Sequence, residues 1–206
     1  MKESEMHKLK IGVLGSTKGT DLQAIIDAIE RLELNAEIVL VASDKENAFI
    51  LERAKKHGIE TMHIDYRAHP QREKAEEKII ERLKQHSVDL VLLIGFMKIL
   101  TPHFIHKFRH RVWNIHPSLL PKYAGGMNLD VYEEVLRNKE HETGCTLHEV
   151  SEKVDAGKII MQKKVKIAHG ETPETLKEKV QKLEQECFLE AIKMVSDGKL
   201  KIGLTT

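Results

Sequence analysis

The run "VDLVLLIGF", Val88–Phe96, decides the fold. A strand wet on one face alternates apolar and polar residues. This run is apolar almost throughout, as a strand covered on both faces of a parallel sheet has to be. The flanking chain supplies the cover. Upstream, a charged amphipathic helix is predicted from about Pro70 to His86, "ETMHID" reads as a short strand, and "NAFILERAKKHG" reads as a helix closed by Gly58. Before these come the strand "AEIVLVAS", a helix over "TDLQAIIDAIERLEL" with Leu22, Ile25, Ile26 and Ile29 at spacings of three and four, and the strand "LKIGVLG". Strands and helices in regular alternation predict a doubly wound, mostly parallel α/β sheet. Beyond Tyr123 the texture changes. "GCTLHEV" and "KIIMQKKVKI" read as strands joined by "SEKVDAG", an antiparallel extension, followed by a last helix with Thr172 as its cap and Gly198 near its stop. The expectation is a single domain.

Composition narrows the function. The chain has 206 residues, 41% apolar and 32% charged, with 33 basic against 32 acidic side chains. A net charge of +1 gives no electrostatic footprint for nucleic acid or an anionic membrane. The start "MKESEMHKLK" has no apolar signal region, and no later apolar run is long enough to span a bilayer, so the expected address is cytoplasmic. Cys145 and Cys187 lie far apart in a chain large enough not to need a disulfide, and reduced thiols are expected. His103, His106 and His110 stand at spacings suited to one helix face, but they lack the clustered partners of a zinc site and are expected on a solvated surface.

Ligands of open α/β sheets gather at the carboxyl ends of the strands. That edge should carry three loops: "GSTKGT" at Gly15–Thr20, the end of "LLIGFMKIL", and "NIHPSLLPKY" at Asn114–Tyr123. The first precedes a helix whose free N–H groups suit a phosphate, though its glycines do not match the dinucleotide fingerprint. In the third, Asn114 and His116 are two residues apart on a strand and leave from one face, while the prolines of "HPSLLP" predict an extended, stiff exit. An uncharged amide donor beside a group that titrates near neutrality suits oxyanion stabilisation and proton movement.

With "NIHPSLLPKY", "GFMKILTPHF", "TGCTLHEV" and "VDAGKIIMQ" in one chain, the sequence resembles the phosphoribosylglycinamide formyltransferases, within the folate-dependent formyltransferases, over nearly its whole length. The resemblance implies a Rossmann-like fold, with residues 1–7 as a flexible N-terminus and 8–206 as a formyltransferase domain. It implies 10-formyltetrahydrofolate as donor and co-substrate, glycinamide ribonucleotide as acceptor in purine synthesis, and no metal. Small-molecule substrates are the expected partners, with neither nucleic acid nor membrane, in a monomer or homodimer. It assigns Asn114, His116 and Asp155 as the catalytic trio. Met97, Lys98, Ile99, Leu100 and Arg72 go to the folate, Gly19, Thr20 and Asp21 to the acceptor's phosphate, and Glu184 to the acceptor near its ribose.

Two departures bear on the acceptor. The family's phosphate loop commonly runs Ser-Gly-x-Gly-Ser-Asn-Leu-Gln, whereas this chain has "STKGTDLQ", which puts Asp21 at the start of the helix as an expected cap that would repel a bound phosphate, with Lys18 offsetting part of that repulsion. The second is the "AGGMNLD" loop, Ala124 to Asp130, which is longer than usual; on the donor side, Lys98, assigned to the folate's glutamate tail, stands where many relatives have Arg. Other amine acceptors, hydrolysis of the formyl donor, and folate or nucleotide binding without catalysis are the competing readings.

Overall fold

A computed structural model describes residues 8–126 and 129–203 of the protein. The expected flexible segment 1–7 lies outside the described residues, as do Met127 and Asn128 of the long loop. In chain order the elements are β1 (Leu9–Leu14), α1 (Thr20–Glu30), β2 (Ala36–Ser43), α2 (Phe49–Lys56), β3 (Thr61–His63), a 3-10 turn (Tyr66–Ala68), α3 (Arg72–Gln85), β4 (Leu90–Leu93), α4 (Pro102–Lys107), β5 (Val112–His116), α5 (Leu129–Arg137), β6 (Glu142–Glu149), β7 (Ile159–Lys166) and α6 (Pro173–Ser196). The sheet has seven strands in the order β3-β2-β1-β4-β5-β6-β7. The first five pair in parallel, and β5–β6 and β6–β7 are antiparallel. Among the described residues no helix is long and apolar enough to cross a membrane.

β4 sits at the centre, and its side chains divide as its composition requires. Leu90 and Leu92 join the core beneath α1, α2, α5 and α6, while Val91 and Leu93 join the core beneath α3 and α4. Covering both faces removes the apolar run from water, worth about 25 cal/mol per Å² of apolar surface. Trp113 on β5 is 1% exposed and belongs to the first core. Cys145 on β6 and Cys187 on α6 are free and buried, with their sulfurs 3.6 Å apart, so the two thiols distant in sequence are neighbours. Gly58 closes α2 at φ 68°, and Thr172 caps α6 in a reciprocal box with Thr175.

The sequence pattern did not announce α4, which at six residues is under two turns, or α5. Thr101 caps α4, its hydroxyl accepting from Phe104 N–H. Histidines 103, 106 and 110 each face a different carboxylate, Glu77, Glu152 and Glu149. The "HPSLLP" exit is not extended. Its peptide Leu120–Pro121 is cis, and the chain bends so that the Ser118 hydroxyl donates to the Lys122 carbonyl at 2.8 Å and Lys122 N–H to the Leu119 carbonyl at 3.2 Å.

The other loop at this edge, Val150–Lys158, is closed at its base by Glu149 N–H on the Lys158 carbonyl at 2.8 Å. Gly157 has no room for a side chain there, since a Cβ would stand 1.7 Å from the Glu149 carbonyl oxygen. We expect Gly157→Ala to cost about 1–3 kcal/mol by overpacking against backbone. Gly58→Ala, with nothing within 4 Å of its Cβ position but φ at +68°, should cost only the left-handed penalty of about 1–2 kcal/mol. Urea unfolding of the two variants checks this, Gly157→Ala being expected also to lose the loop geometry described below.

Candidate active site

Asn114 and His116 leave β5 on the face where antiparallel β6 is registered, Asn114 opposite His148 and His116 opposite Thr146. Asp155, in the left-handed conformation at φ 50°, reaches the same point from the Val150–Lys158 loop. Its Oδ2 lies 3.2 Å from His116 Nδ1 and accepts from Gly125 N–H at 2.8 Å, and its Oδ1 lies 3.5 Å from His148 Nε2. The resemblance's trio therefore converges in space, together with a histidine that the sequence did not single out.

Hydrogen-bond chemistry limits which contacts the two histidine rings can make together. His116 is 3% exposed, and both its ring nitrogens face acceptors, Nε2 standing 2.9 Å from the Tyr123 carbonyl oxygen. A carbonyl and a carboxylate only accept, so both contacts are made when the ring carries two protons. His148 Nδ1 donates to the Glu149 carbonyl at 2.9 Å, which leaves Nε2 of the neutral ring to accept from Asn114 Nδ2 at 3.2 Å. Burial of Asp155 pushes its carboxyl up, but hydrogen bonds from His116, from His148 when its Nε2 is protonated, and from Gly125 N–H outweigh it and hold the group well below the usual carboxylate range.

The phosphate-binding candidates lie at the mouth of α1. Gly19 precedes the helix at φ 67°, and no side chain caps it. Asp21 does not act as the expected cap. It is 5% exposed and turned into the interior against α6, its Oδ1 without a hydrogen-bond partner among the described residues. Burial pushes its carboxyl up to about 7, the Gln185 side chain offsetting part of the rise. Glu184, one residue before Gln185 and 9% exposed, is raised as well, first by burial and then by Asp21. The Thr20 hydroxyl accepts from Gln181 Nε2 on the same helix, and Lys18 offers its carbonyl to Arg53 Nε at 2.8 Å. Packing turns Asp21 inward. Asp21 is on the α1 face that meets α6, so its carboxylate turns away from the open helix end.

The folate candidates divide. Met97 N–H donates to Ser16 Oγ at 2.9 Å, Lys98 Nζ lies 3.9 Å from Asp44 Oδ2 and 5.9 Å from the Tyr66 ring centroid, and Ile99 is 61% exposed. Leu100 instead is buried in the core with Phe104. Arg72 is exposed at the first position of α3, near Glu76 and Tyr66. The sequence did not single out His148, Asp44 or Gln181, whereas Ser16 stands in the family-like "STKGTDLQ". His148 carries one signal in the sequence: in "TLHEV" it interrupts an apolar strand, as Asn114 does in "VWNIH".

The buried carboxyls give a pH prediction with a definite sign. A carboxyl whose pKa is raised on folding adds stability that is fully present below its unfolded value near 4 and is lost as pH rises through its folded value. With Asp21 at about 7, the protein should lose stability between pH of about 4 and 7. Asp21→Asn should flatten that slope and exceed the wild type in stability at pH 8. Urea unfolding at pH 5 and pH 8 measures both slopes, and equal slopes would place the carboxyl in solvent.

Comparison with known proteins places the chain. The formyl transferase family matches residues 9–192. The Escherichia coli phosphoribosylglycinamide formyltransferase is 37% identical over 194 residues, 94% of this chain and 90% of that protein. A trifunctional purine biosynthetic protein of Gallus gallus is 39% identical over 97% of this chain, which spans 20% of that longer protein's length. The crystal structure of glycinamide ribonucleotide transformylase 1 from Symbiobacterium toebii superposes with a TM-score of 0.89 at 37% identity, covering 95% of this chain and 91% of that one. The chain belongs to the formyl transferase family.

Proposed function

We propose that the protein is a folate-dependent phosphoribosylglycinamide formyltransferase, moving the formyl group of 10-formyltetrahydrofolate to the amine of glycinamide ribonucleotide in the cytoplasm. The formyltransferase domain spans residues 8–206. The observation that carries this reading is the convergence of Asn114, His116 and Asp155 at the carboxyl edge of the sheet, in a chain 37% identical to a protein of that name.

The amine attacks the formyl carbon, the carbonyl oxygen gains charge in a tetrahedral intermediate, and the bond to the folate nitrogen breaks as that nitrogen takes a proton. The donor is already activated, so the chain supplies position, oxyanion donors and proton movement rather than a nucleophile or a metal. Asn114 has two amide protons. One is engaged with His148 Nε2, which leaves the second for the oxyanion. Doubly protonated His116 is the second donor, and to reach the oxyanion it exchanges its Nε2 bond to the Tyr123 carbonyl for one to the substrate. Asp155 pairs with the charged form of His116, and through water it relays the proton that the attacking amine loses to the departing folate nitrogen. Gly19 and Thr20 meet the acceptor's phosphate at the α1 mouth, Glu184 meets its ribose, and Met97, Lys98, Ile99 and Arg72 meet the folate. Asp21 acts from behind the phosphate site, through its buried carboxyl.

The test follows tetrahydrofolate release from 10-formyltetrahydrofolate with and without glycinamide ribonucleotide. Release should require the acceptor, and equal release without it would make the protein a hydrolase of the donor. In the same assay Asp155→Asn should lower turnover by more than about a hundredfold with the fold intact. Near wild-type turnover in the folded variant would assign Asp155 to the turn alone.

A further inference from the structure

The loops assigned to acceptor and donor are fastened to each other by a side chain that belongs to neither set. Ser16, 3% exposed, lies in the β1–α1 loop three residues before Gly19. Its backbone N–H donates to the Gly95 carbonyl at 3.1 Å. Its hydroxyl accepts from Met97 N–H at 2.9 Å and donates to Asp44 Oδ1 at 2.5 Å. The second oxygen of Asp44, a side chain only 6% exposed, faces Lys98 Nζ at 3.9 Å. The two loops also touch sterically: Gly95 is at φ +57°, and a Cβ there would stand 2.4 Å from Thr17 Oγ1.

We propose that Ser16 and Asp44 form a latch that sets the Met97–Lys98 backbone for the folate and couples it to the acceptor's helix mouth. Both are positioning residues that act through Met97 and Lys98. The proposal rests on the functional reading above, which gives those two residues to the donor. A hydroxyl with its proton committed to Asp44 and a lone pair committed to Met97 fixes the plane of the Met97 amide. The β1–α1 loop therefore cannot shift toward a bound phosphate without carrying that amide along. Coupling of this kind is reciprocal, so a bound acceptor tightens folate binding by the factor by which folate tightens acceptor binding.

The experiment titrates tetrahydrofolate calorimetrically into the full-length wild type, Ser16→Ala and Asp44→Asn, each with and without glycinamide ribonucleotide, and measures kcat and KM in parallel. Ser16→Ala should weaken folate binding about tenfold, the loss of one buried hydrogen bond, and erase the gain from bound acceptor. Its donor KM should rise by the same factor while kcat falls less than about threefold, the signature of lost positioning rather than lost chemistry. Asp44→Asn keeps an oxygen for Ser16 but loses the charge facing Lys98, so its donor affinity should fall by about threefold with coupling reduced. This variant carries the test if Ser16→Ala does not fold. Wild-type folate affinity and coupling in either folded variant overturns the latch alone. A uniform fall in kcat and in both affinities, tracking the folded fraction, also overturns it. A wild type that binds no folate overturns the functional reading and the latch with it.

Discussion

An aspartate carboxylate kept ionised while largely withdrawn from water is the constraint on which the site depends. Asp155 exposes only 10% of its side chain, and an isolated charge there would protonate rather than remain. What holds it is supplied from separate segments: His116 on β5, the Gly125 N–H of the "NIHPSLLPKY" exit and, when its Nε2 carries the proton, His148 on β6. Each depends on something further. His148 reaches Asp155 only because β6 runs antiparallel in the register that sets it beside Asn114. The exit loop stays in place because the Thr146 hydroxyl accepts from Leu120 N–H and donates to the Ser118 carbonyl. Asp155 itself reaches over the face because Gly157 packs against the Glu149 carbonyl with no side chain between. Disturbing any of these removes a donor from a buried charge, which costs more than the bond alone.

Between α1 and α6 the fold holds carboxyls of the opposite character. Asp155 is rich in donors and depressed, whereas Asp21 and Glu184, packed between α1 and α6 with few donors, are raised. The difference follows from depth and hydrogen bonding together, since Asp21 and Glu184 are the more deeply buried and have the fewer donors. A proton held by the Asp21 and Glu184 carboxyls spares the fold two adjacent buried negative charges beside the open N–H groups of α1. His148 adds a third setting. Protonating it makes Nε2 a donor toward Asp155 and obliges Asn114 to turn its amide over, so the oxyanion donor and the histidine charge are linked.

Much of this was legible in the residues because local pattern and global fold agree. The two-faced burial of β4 follows from "VDLVLLIGF", and the sheet edge that gathers the loops follows from the alternation around it. The pair Asn114 and His116 was legible from strand periodicity, but Asp155 rested on resemblance, since "VDAG" by itself reads as a turn. What could not be read depends on contacts remote in sequence. The register that sets His148 beside Asn114 is fixed by the β5–β6 pairing, the inward turn of Asp21 by α6 packing some 160 residues away, and the Ser16 hydroxyl's double duty by loops after three different strands. Asp21 shows the hazard most plainly. Its type and position suit an N-cap, and tertiary packing overrode that preference.

The account stands or falls on the charge of Asp155. Carbon-13 NMR of its side-chain carboxyl, assigned by comparison with Asp155→Asn and followed from pH 7 downward in the intact protein, reads that charge directly. The account predicts that the resonance stays at its carboxylate position through the region near pH 4 where ordinary aspartates protonate. A midpoint at about 4 or above would mean that the histidines and the Gly125 N–H do not hold the charge, and would contradict a site built around it.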